Sequence, residues 1–117
     1  MKNYIQPGAM MSVTAPATVA SGAGVLVGML FGVAAADTAS GASVEIATAG
    51  VFDLPKTSAQ AWTAGAPIYW DPAEAEATSA ADAGNVLIGC AAAAAANPSA
   101  TGRVRLNGAV PAAAVPA

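Results

Sequence analysis

The sequence contains no histidine and only one cysteine, Cys90. Histidine is the commonest general base and metal ligand near neutral pH, and a cysteine-based zinc site needs several thiolates. A single cysteine also excludes an internal disulfide. The chain has neither a glycine-rich phosphate loop with lysine nor a G-x-S-x-G motif. These absences predict no catalytic residue, no metal site and no cofactor, and hence a protein that is not an enzyme.

Charge is also scarce. Charged residues make up 9% of the 117 residues, and seven acidic against four basic residues give a net charge of −3. A nucleic-acid-binding protein needs a basic surface, so we predict no nucleic-acid partner. Asp71, Glu74 and Glu76 lie close together in the sequence, but a calcium loop needs more oxygen ligands at regular spacing. We therefore interpret them as a solvated loop.

Long apolar segments are missing as well. The apolar stretch at residues 24–36 is too short and too rich in glycine to span a membrane, so we predict no membrane partner. The N-terminus lacks the ordered charged, apolar and cleavage regions of a signal peptide. A weakly charged surface is typical of a protein that works inside an assembly.

Large side chains are few, because most of the 56% hydrophobic content is alanine. Burying each large side chain is worth about 1.5–3 kcal/mol, which is a modest total against the entropy of ordering the chain. We therefore expect contact with other subunits to add stability. The predicted core anchors are Phe31, Phe52, Trp62 and Trp70. The other predicted core residues are Val13, Val25, Val27, Val33, Val44, Ile46, Val51, Leu54, Ile68, Val86, Ile88, Val104 and Leu106.

Glycines recur every few residues with short β-branched segments between them, a pattern that predicts an all-β domain with tight turns. Residues 43–47 alternate cleanly, with Val44 and Ile46 on one face and Glu45 on the other. We predict one domain over residues 9–108, an extended arm at 1–8 and a mobile Pro/Ala tail at 109–117. The predicted strands lie at residues 11–15, 24–28, 30–34, 43–47, 51–54, 68–70, 85–90 and 101–107.

Three segments leave alternatives open. Residues 24–34 form either two strands or one strand with a bulge at Gly28. Residues 73–81 form either a helical turn or an excursion with a short return strand at 77–79. Residues 91–96 are six consecutive alanines, which favour a helix by propensity. Six residues are too few for a helix to stand on propensity alone, so we predict a strand that lets another backbone or subunit approach closely.

The aromatic and arginine side chains also allow more than one interpretation. Tyr69 and Trp70 are neighbours on a predicted strand, so one should face the core and the other a surface or subunit contact. Alternatively, Trp62, Tyr69 and Trp70 form a stacking platform for a sugar. Arg103 and Arg105 share one face of the last strand, as a solvated face, an ion pair across the sheet or part of an interface.

An ordered series of segments points to a known family. The segments are MKNYIQPG at residues 1–8, SGAGVLVG at 21–28, LFGVA at 30–34, VEIATAGVFDLPK at 44–56, APIYWD at 66–71, LIG at 87–89 and GRVRLNG at 102–108. Together they resemble a bacteriophage capsid cement (decoration) protein family that was formerly a conserved domain of unknown function. The resemblance extends from Lys2 to about Gly108, and its specificity lies in the order of the motifs.

The resemblance implies a β-barrel or β-tulip-like domain and a homotrimer at the local threefold positions of an icosahedral head. It implies that the chain binds the major capsid protein on the outer capsid surface of the virion and stabilises contacts between capsid subunits. It also implies synthesis in the host bacterial cytoplasm. A net negative charge agrees with a position away from the packaged genome. The alternatives are another phage structural subunit (head fibre base, tail or connector) and a carbohydrate-binding module.

Two hypotheses about contact residues follow from this resemblance. The arm adds a strand to an exposed sheet edge of the major capsid protein, and its capsid-binding residues are Lys2, Asn3, Tyr4, Ile5, Gln6 and Pro7. The small side chains of residues 87–96 pack near the trimer axis, where bulk is excluded. The predicted trimer interface consists of Leu87, Cys90, Ala92, Ala94, Arg103 and Arg105.

Overall fold

The structure is a computed structural model, and it describes residues 8–28, 30–107 and 112–113. Strands make up its regular structure, with no helix among the described residues, which confirms the predicted all-β class. The strands are β1 Met10–Thr14, β2 Gly24–Val27, β3 Leu30–Ala34, β4 Ser43–Ala47, β5 Ala49–Pro55, β6 Pro67–Asp71, β7 Glu76–Thr78, β8 Val86–Ala91, β9 Thr101–Asn107 and β10 Ala112–Ala113. In this part of the chain, no helix offers the length and apolar character that a membrane crossing requires.

The strands form two antiparallel sheets. The smaller sheet has the order β1-β4-β3-β2, and the larger one has the order β5-β9-β8-β6-β7 with β10 beside β8. In the larger sheet, a parallel bridge between Lys56 and Ala77 brings the end of β5 to β7. The two edge strands of the sheet thus meet at one end. The larger sheet is therefore a curled half-barrel, which agrees with the predicted barrel-like domain.

The buried side chains form two apolar clusters, and the larger one, within the half-barrel, also includes Phe31 and Val33 of the smaller sheet. Within the half-barrel, Trp62 and Trp70 are 2% and 4% exposed, and the Phe31 ring from the smaller sheet lies 5.1 Å from the Trp70 ring. Phe52 is half-buried and packs against the same cluster. Ile46 is fully buried in a second cluster under the smaller sheet. The predicted core anchors thus all contribute to the larger cluster.

Val51 is an exception to the predicted core. Its side chain is 53% exposed, whereas Leu54 on the same strand is fully buried. Side chains alternate along a strand, and β5 directs Phe52 and Leu54 inward and Val51 outward. The prediction that Val51 belongs to the core is therefore wrong.

The segments with alternatives are settled by strand pairing. Residues 24–34 form two strands, β2 and β3, which pair as an antiparallel hairpin. The return strand of the 73–81 segment is β7, which pairs with β6. The alanine run is neither a helix nor a continuous strand, because β8 ends at Ala91. Beyond it, Ala95 forms an isolated bridge with Trp62. The predicted strand through residue 96 is therefore wrong after Ala91.

Two further predictions concern β6 and the C-terminus. Trp70 is buried and Tyr69 is half-buried on the opposite face, as alternation predicts. Ala112 and Ala113, within the predicted tail, pair with Leu87 and Val86 of β8. The remaining tail residues, 109–111 and 114–117, lie outside the described residues.

Candidate functional site

The outer face of the larger sheet brings together side chains that are distant in the sequence. Strand register places Arg105 of β9 between Val51 of β5 and Cys90 of β8. It also places Arg103 opposite Asp53 of β5. We call these five residues the outer β9 face. Since β9 alternates, its other side chains point into the half-barrel, where the core residues lie.

The two arginines of the outer β9 face differ in their partners. The Arg103 Nε donates to the Asp53 Oδ1 at 3.1 Å, and both side chains are more than half exposed. An ion pair across the sheet was one of the alternatives for Arg103. Exposed pairs of this kind contribute little stability. Arg105 is exposed, and no carboxylate among the described residues pairs with it.

The predicted trimer-interface residues lie on or beside this face. Leu87 and Cys90 are half-buried, whereas the adjoining Val86 and Ala91 are buried in the core, so Leu87 and Cys90 point outward. The Ala92 amide donates to the Arg103 carbonyl at 2.9 Å, which holds Ala92 beside β9.

The last of the predicted interface residues, Ala94, is exposed and lines a surface groove of about 330 Å³ together with Asp53 and Arg103. The structure therefore places Cys90, Ala92 and Ala94 beside the two arginines, whereas Leu87 lies further along β8, opposite Tyr69 and Ala112. The Cys90 thiol is free and half-exposed.

Backbone hydrogen bonds to Trp62 hold the alanine segment, residues 91–96, in place. The Trp62 amide donates to the Ala95 carbonyl at 2.9 Å, and the Ala95 amide donates back to the Trp62 carbonyl at 3.0 Å. The Trp62 side chain lies against Gly102 of β9, where a Cβ atom would stand 2.2 Å from the ring. Glycine is therefore required at position 102 for the ring to reach the core beneath β9.

A buried lysine, which the sequence patterns did not single out, supports the same end of the half-barrel. Lys56 is 3% exposed, and its Nζ donates to the carbonyls of Thr57, Ser58 and Ser99 at 2.8, 3.3 and 3.5 Å. The ammonium also lies 5.7 Å from the centre of the Trp62 ring, within the range of a cation–π interaction. The sequence offers one sign of this buried position: Lys56 comes at the end of a strand, before a turn.

The edge of β5 is a second feature that the sequence patterns did not single out. The Lys56 amide donates to the Ala100 carbonyl. Because the backbone groups of a strand alternate between its two edges, every second residue of β5, counted back from Lys56, bonds to β9. Ala49, Val51 and Asp53 then direct their backbone groups to the opposite edge. On that edge, the described residues provide one partner strand, β7. The two strands meet only at the bridge between Lys56 and Ala77. An edge of this kind is suited to contact with another chain.

The predicted capsid-binding arm, Lys2 to Pro7, lies outside the described residues. The structure does describe Gly8, the last residue of the predicted arm, and Ala9, which follows it. The Thr48 amide donates to the Ala9 carbonyl at 2.9 Å, and the Thr48 hydroxyl donates to the Gly8 carbonyl. The base of the arm is thus tied to the junction between the two sheets, since Thr48 lies between β4 and β5.

The acidic and aromatic groups have structural contacts. Asp71 accepts hydrogen bonds from the Ala73 and Glu74 amides, and Glu76 accepts one from the Thr57 hydroxyl. In the described part of the chain, no group of three or more acidic, cysteine or histidine residues is placed to hold a metal ion. Burial of Trp62 removes one ring of the sugar platform, and burial of Trp70 removes another.

The fold and this surface define a small all-β protein of low overall charge. A family model described as phage cement protein matches residues 5–106. The chain belongs to the phage cement protein family, as the resemblance predicts. Its role is that of a structural component of the phage capsid, with which cement proteins associate. Searches of curated proteins and of solved structures find no match to the chain.

Proposed function

We propose that this chain binds the outer surface of the phage head at local threefold positions, as a homotrimer, and stabilises contacts between major capsid protein subunits. The observation that supports this most directly is the match of the phage cement protein model to residues 5–106. The structural role of the family also supports a protein that acts by binding rather than by catalysis.

The capsid-binding element is the arm, with Tyr4 and Ile5 as anchors on opposite faces of an extended strand. Backbone hydrogen bonds to a sheet edge of the major capsid protein supply the affinity, and the two side chains supply specificity. The bonds from Thr48 to the backbone of Gly8 and Ala9 support this model. They hold the base of the arm, so the arm starts from a defined place on the domain.

Three arms on one trimer strengthen binding beyond the affinity of one arm. After the first arm binds, the other two act at a high effective concentration, so avidity increases without any strong single contact. A cement protein that binds only the assembled shell shifts the equilibrium away from disassembly. A modest affinity at each site is therefore sufficient to stabilise a head with many sites.

The contact between cement subunits is formed by Leu87, Cys90, Ala92, Ala94, Arg103 and Arg105. Support comes from the position of Cys90, Ala92 and Ala94 beside the two arginines. Arginine is enriched in interfaces. The open edge of β5 adds backbone groups to this region.

Deletion of residues 1–7 tests the arm. Heads stripped of cement are incubated with the truncated or the full-length chain, and the copies retained per head are counted. We expect the truncated chain to leave most sites empty, because the backbone contacts of the arm are lost. A connector subunit would be present in a handful of copies, whereas cement should reach hundreds.

A matched control separates the arm from the fold. Gly8 stays in the truncated chain, so the bonds to Thr48 are preserved, and circular dichroism should show the same thermal midpoint. A double substitution of the two anchors, Tyr4→Ala with Ile5→Ala, should reproduce the loss with the backbone intact. Full occupancy by the truncated chain would refute the arm model.

A further inference from the structure

The charges of the described residues single out Arg105. Lys56 is bound by three backbone carbonyls, and Arg103 is paired with Asp53. Arg105 is the remaining cation in the part of the chain that the structure describes, and its guanidinium has no hydrogen-bonding or ionic partner there. An exposed arginine without a partner is suited to binding a carboxylate of another chain.

The surroundings of Arg105 are those of an interface anchor. Val51, which is 53% exposed, lies opposite it on one neighbouring strand, and the half-buried Cys90 lies opposite it on the other. Apolar neighbours exclude water from an ion pair once a partner covers them, which strengthens the pair. The row Val51–Arg105–Cys90 thus combines an uncovered apolar group with an unpaired charge.

The complementary charge is present elsewhere on the same chain. Glu74 is exposed in the turn between β6 and β7, and its carboxylate has no partner among the described residues. The Asp71 Oδ1 accepts bonds from the Ala73 amide at 3.0 Å and from the Glu74 amide at 3.3 Å, so the turn is held in one conformation. A carboxylate on a fixed turn loses less entropy on binding than one on a free loop.

We propose that Arg105 of one subunit binds the carboxylate of Glu74 in a second copy of this chain. The inference rests on the proposed function, in which identical subunits form a closed ring. In such a ring each subunit presents two different surfaces, one to each neighbour. A chain with an unpaired cation on one element and an unpaired carboxylate on another meets this requirement. Three identical ion pairs then close the trimer.

Zero-length cross-linking on decorated heads tests the contact. A carbodiimide joins an amine to a carboxylate only where the two touch, and it does not react with a guanidinium. The variant Arg105→Lys supplies an amine at this position, and it retains the positive charge. We expect covalent dimers and trimers on a denaturing gel that exceed the background from the wild-type chain, whose amines lie elsewhere.

Two double variants show which carboxylate takes part. The band should be lost in R105K/E74Q and retained in R105K/D82N. Asp82 is the matched control, because it is also exposed and its carboxylate has no partner among the described residues. A band that persists in R105K/E74Q, the absence of any R105K-dependent band, or a product that joins this chain to the major capsid protein would each overturn the proposal.

Failure of the proposed function would be recognised separately. If the wild-type chain does not decorate heads, the cement role at the outer surface fails, and the same cross-linking on the concentrated free protein still reports the contact between copies. If the wild-type chain decorates heads and the E74Q change leaves the cross-link intact, only the ion pair fails.

Discussion

Replacing Gly102 with alanine should displace Trp62, the buried ring that links β9 to the alanine segment. A Cβ atom at position 102 would stand 2.2 Å from Cζ3 and 2.7 Å from Cε3 of the Trp62 ring. Ordinary contacts of a Cβ atom begin at 3.4 Å, so the ring has to move by about 1 Å or more. Trp62 is 2% exposed, and its backbone is bonded to Ala95 in both directions, which leaves little room for movement.

The expected cost follows from overpacking. An extra methyl group in a well-packed core costs about 1–3 kcal/mol. We expect the upper part of this range, because the clash is with a rigid ring rather than with the end of a flexible side chain. For a domain of this size, each 1 kcal/mol lowers the thermal midpoint by about 4 °C. The Gly102→Ala variant should therefore melt about 8–12 °C below the wild-type chain.

Thermal unfolding followed by circular dichroism measures this change, and tryptophan fluorescence reports the environment of the ring. Gly8→Ala is the matched control, because a Cβ at position 8 meets nothing within 4 Å. That control should stay within about 0.5 kcal/mol of the wild-type chain. A Gly102→Ala protein with an unchanged midpoint and an unchanged emission spectrum would refute the packing of Trp62 against β9.

Three further substitutions test other parts of the structure. Lys56→Met removes the ammonium that binds three carbonyls, so the free energy of unfolding in a urea titration should fall by about 1–3 kcal/mol. Equal stability would show that those carbonyls do not need the ammonium. Asp53→Asn weakens only the exposed ion pair with Arg103, so the free energy of unfolding should change by less than about 1 kcal/mol. A loss several times larger would show that the ion pair is more than a surface contact. Ala92→Leu and Ala94→Leu add bulk at the proposed subunit contact, so sedimentation should show loss of trimers. Normal trimers from both alanine variants would count against that contact.

Local alternation is a dependable guide to this fold. It predicts that Val44 and Ile46 share one buried face, and the structure shows both in the core under the smaller sheet. It also predicts that Trp70 and Tyr69 face opposite sides, which the structure confirms. These properties depend only on neighbouring residues, because successive side chains of any strand point in opposite directions.

Val51 and the alanine run show where local patterns are insufficient. Val51 is apolar like its neighbours Phe52 and Leu54, and only the packing of β5 and β9 over the core decides which side of the strand is covered. The alanine run has side chains too small to favour one pairing over another. Its path is set by the backbone bonds between Ala95 and Trp62, a residue far away in the sequence.

Lys56 shows the same limit for charged residues. Lysine is almost never fully buried without a partner, so a sequence pattern gives no reason to place it inside. The turn at Thr57 and Ser58 and the distant Ser99 together supply the carbonyls that replace water around its ammonium. Every residue type carries a backbone carbonyl, so a site formed by these groups cannot be recognised from the sequence.

Composition, alternation and motif order are thus sufficient for the all-β class, the inward and outward faces of single strands and the cement family. Long-range strand pairing determines the closure of the larger sheet and the exposure of its outer face. It bridges Lys56 to Ala77 so that the larger sheet curls, and it leaves Val51 and Arg105 side by side on an open face. The physical reason is that side-chain direction is a property of adjacent residues, whereas closure and exposure depend on contacts between segments that the sequence keeps apart.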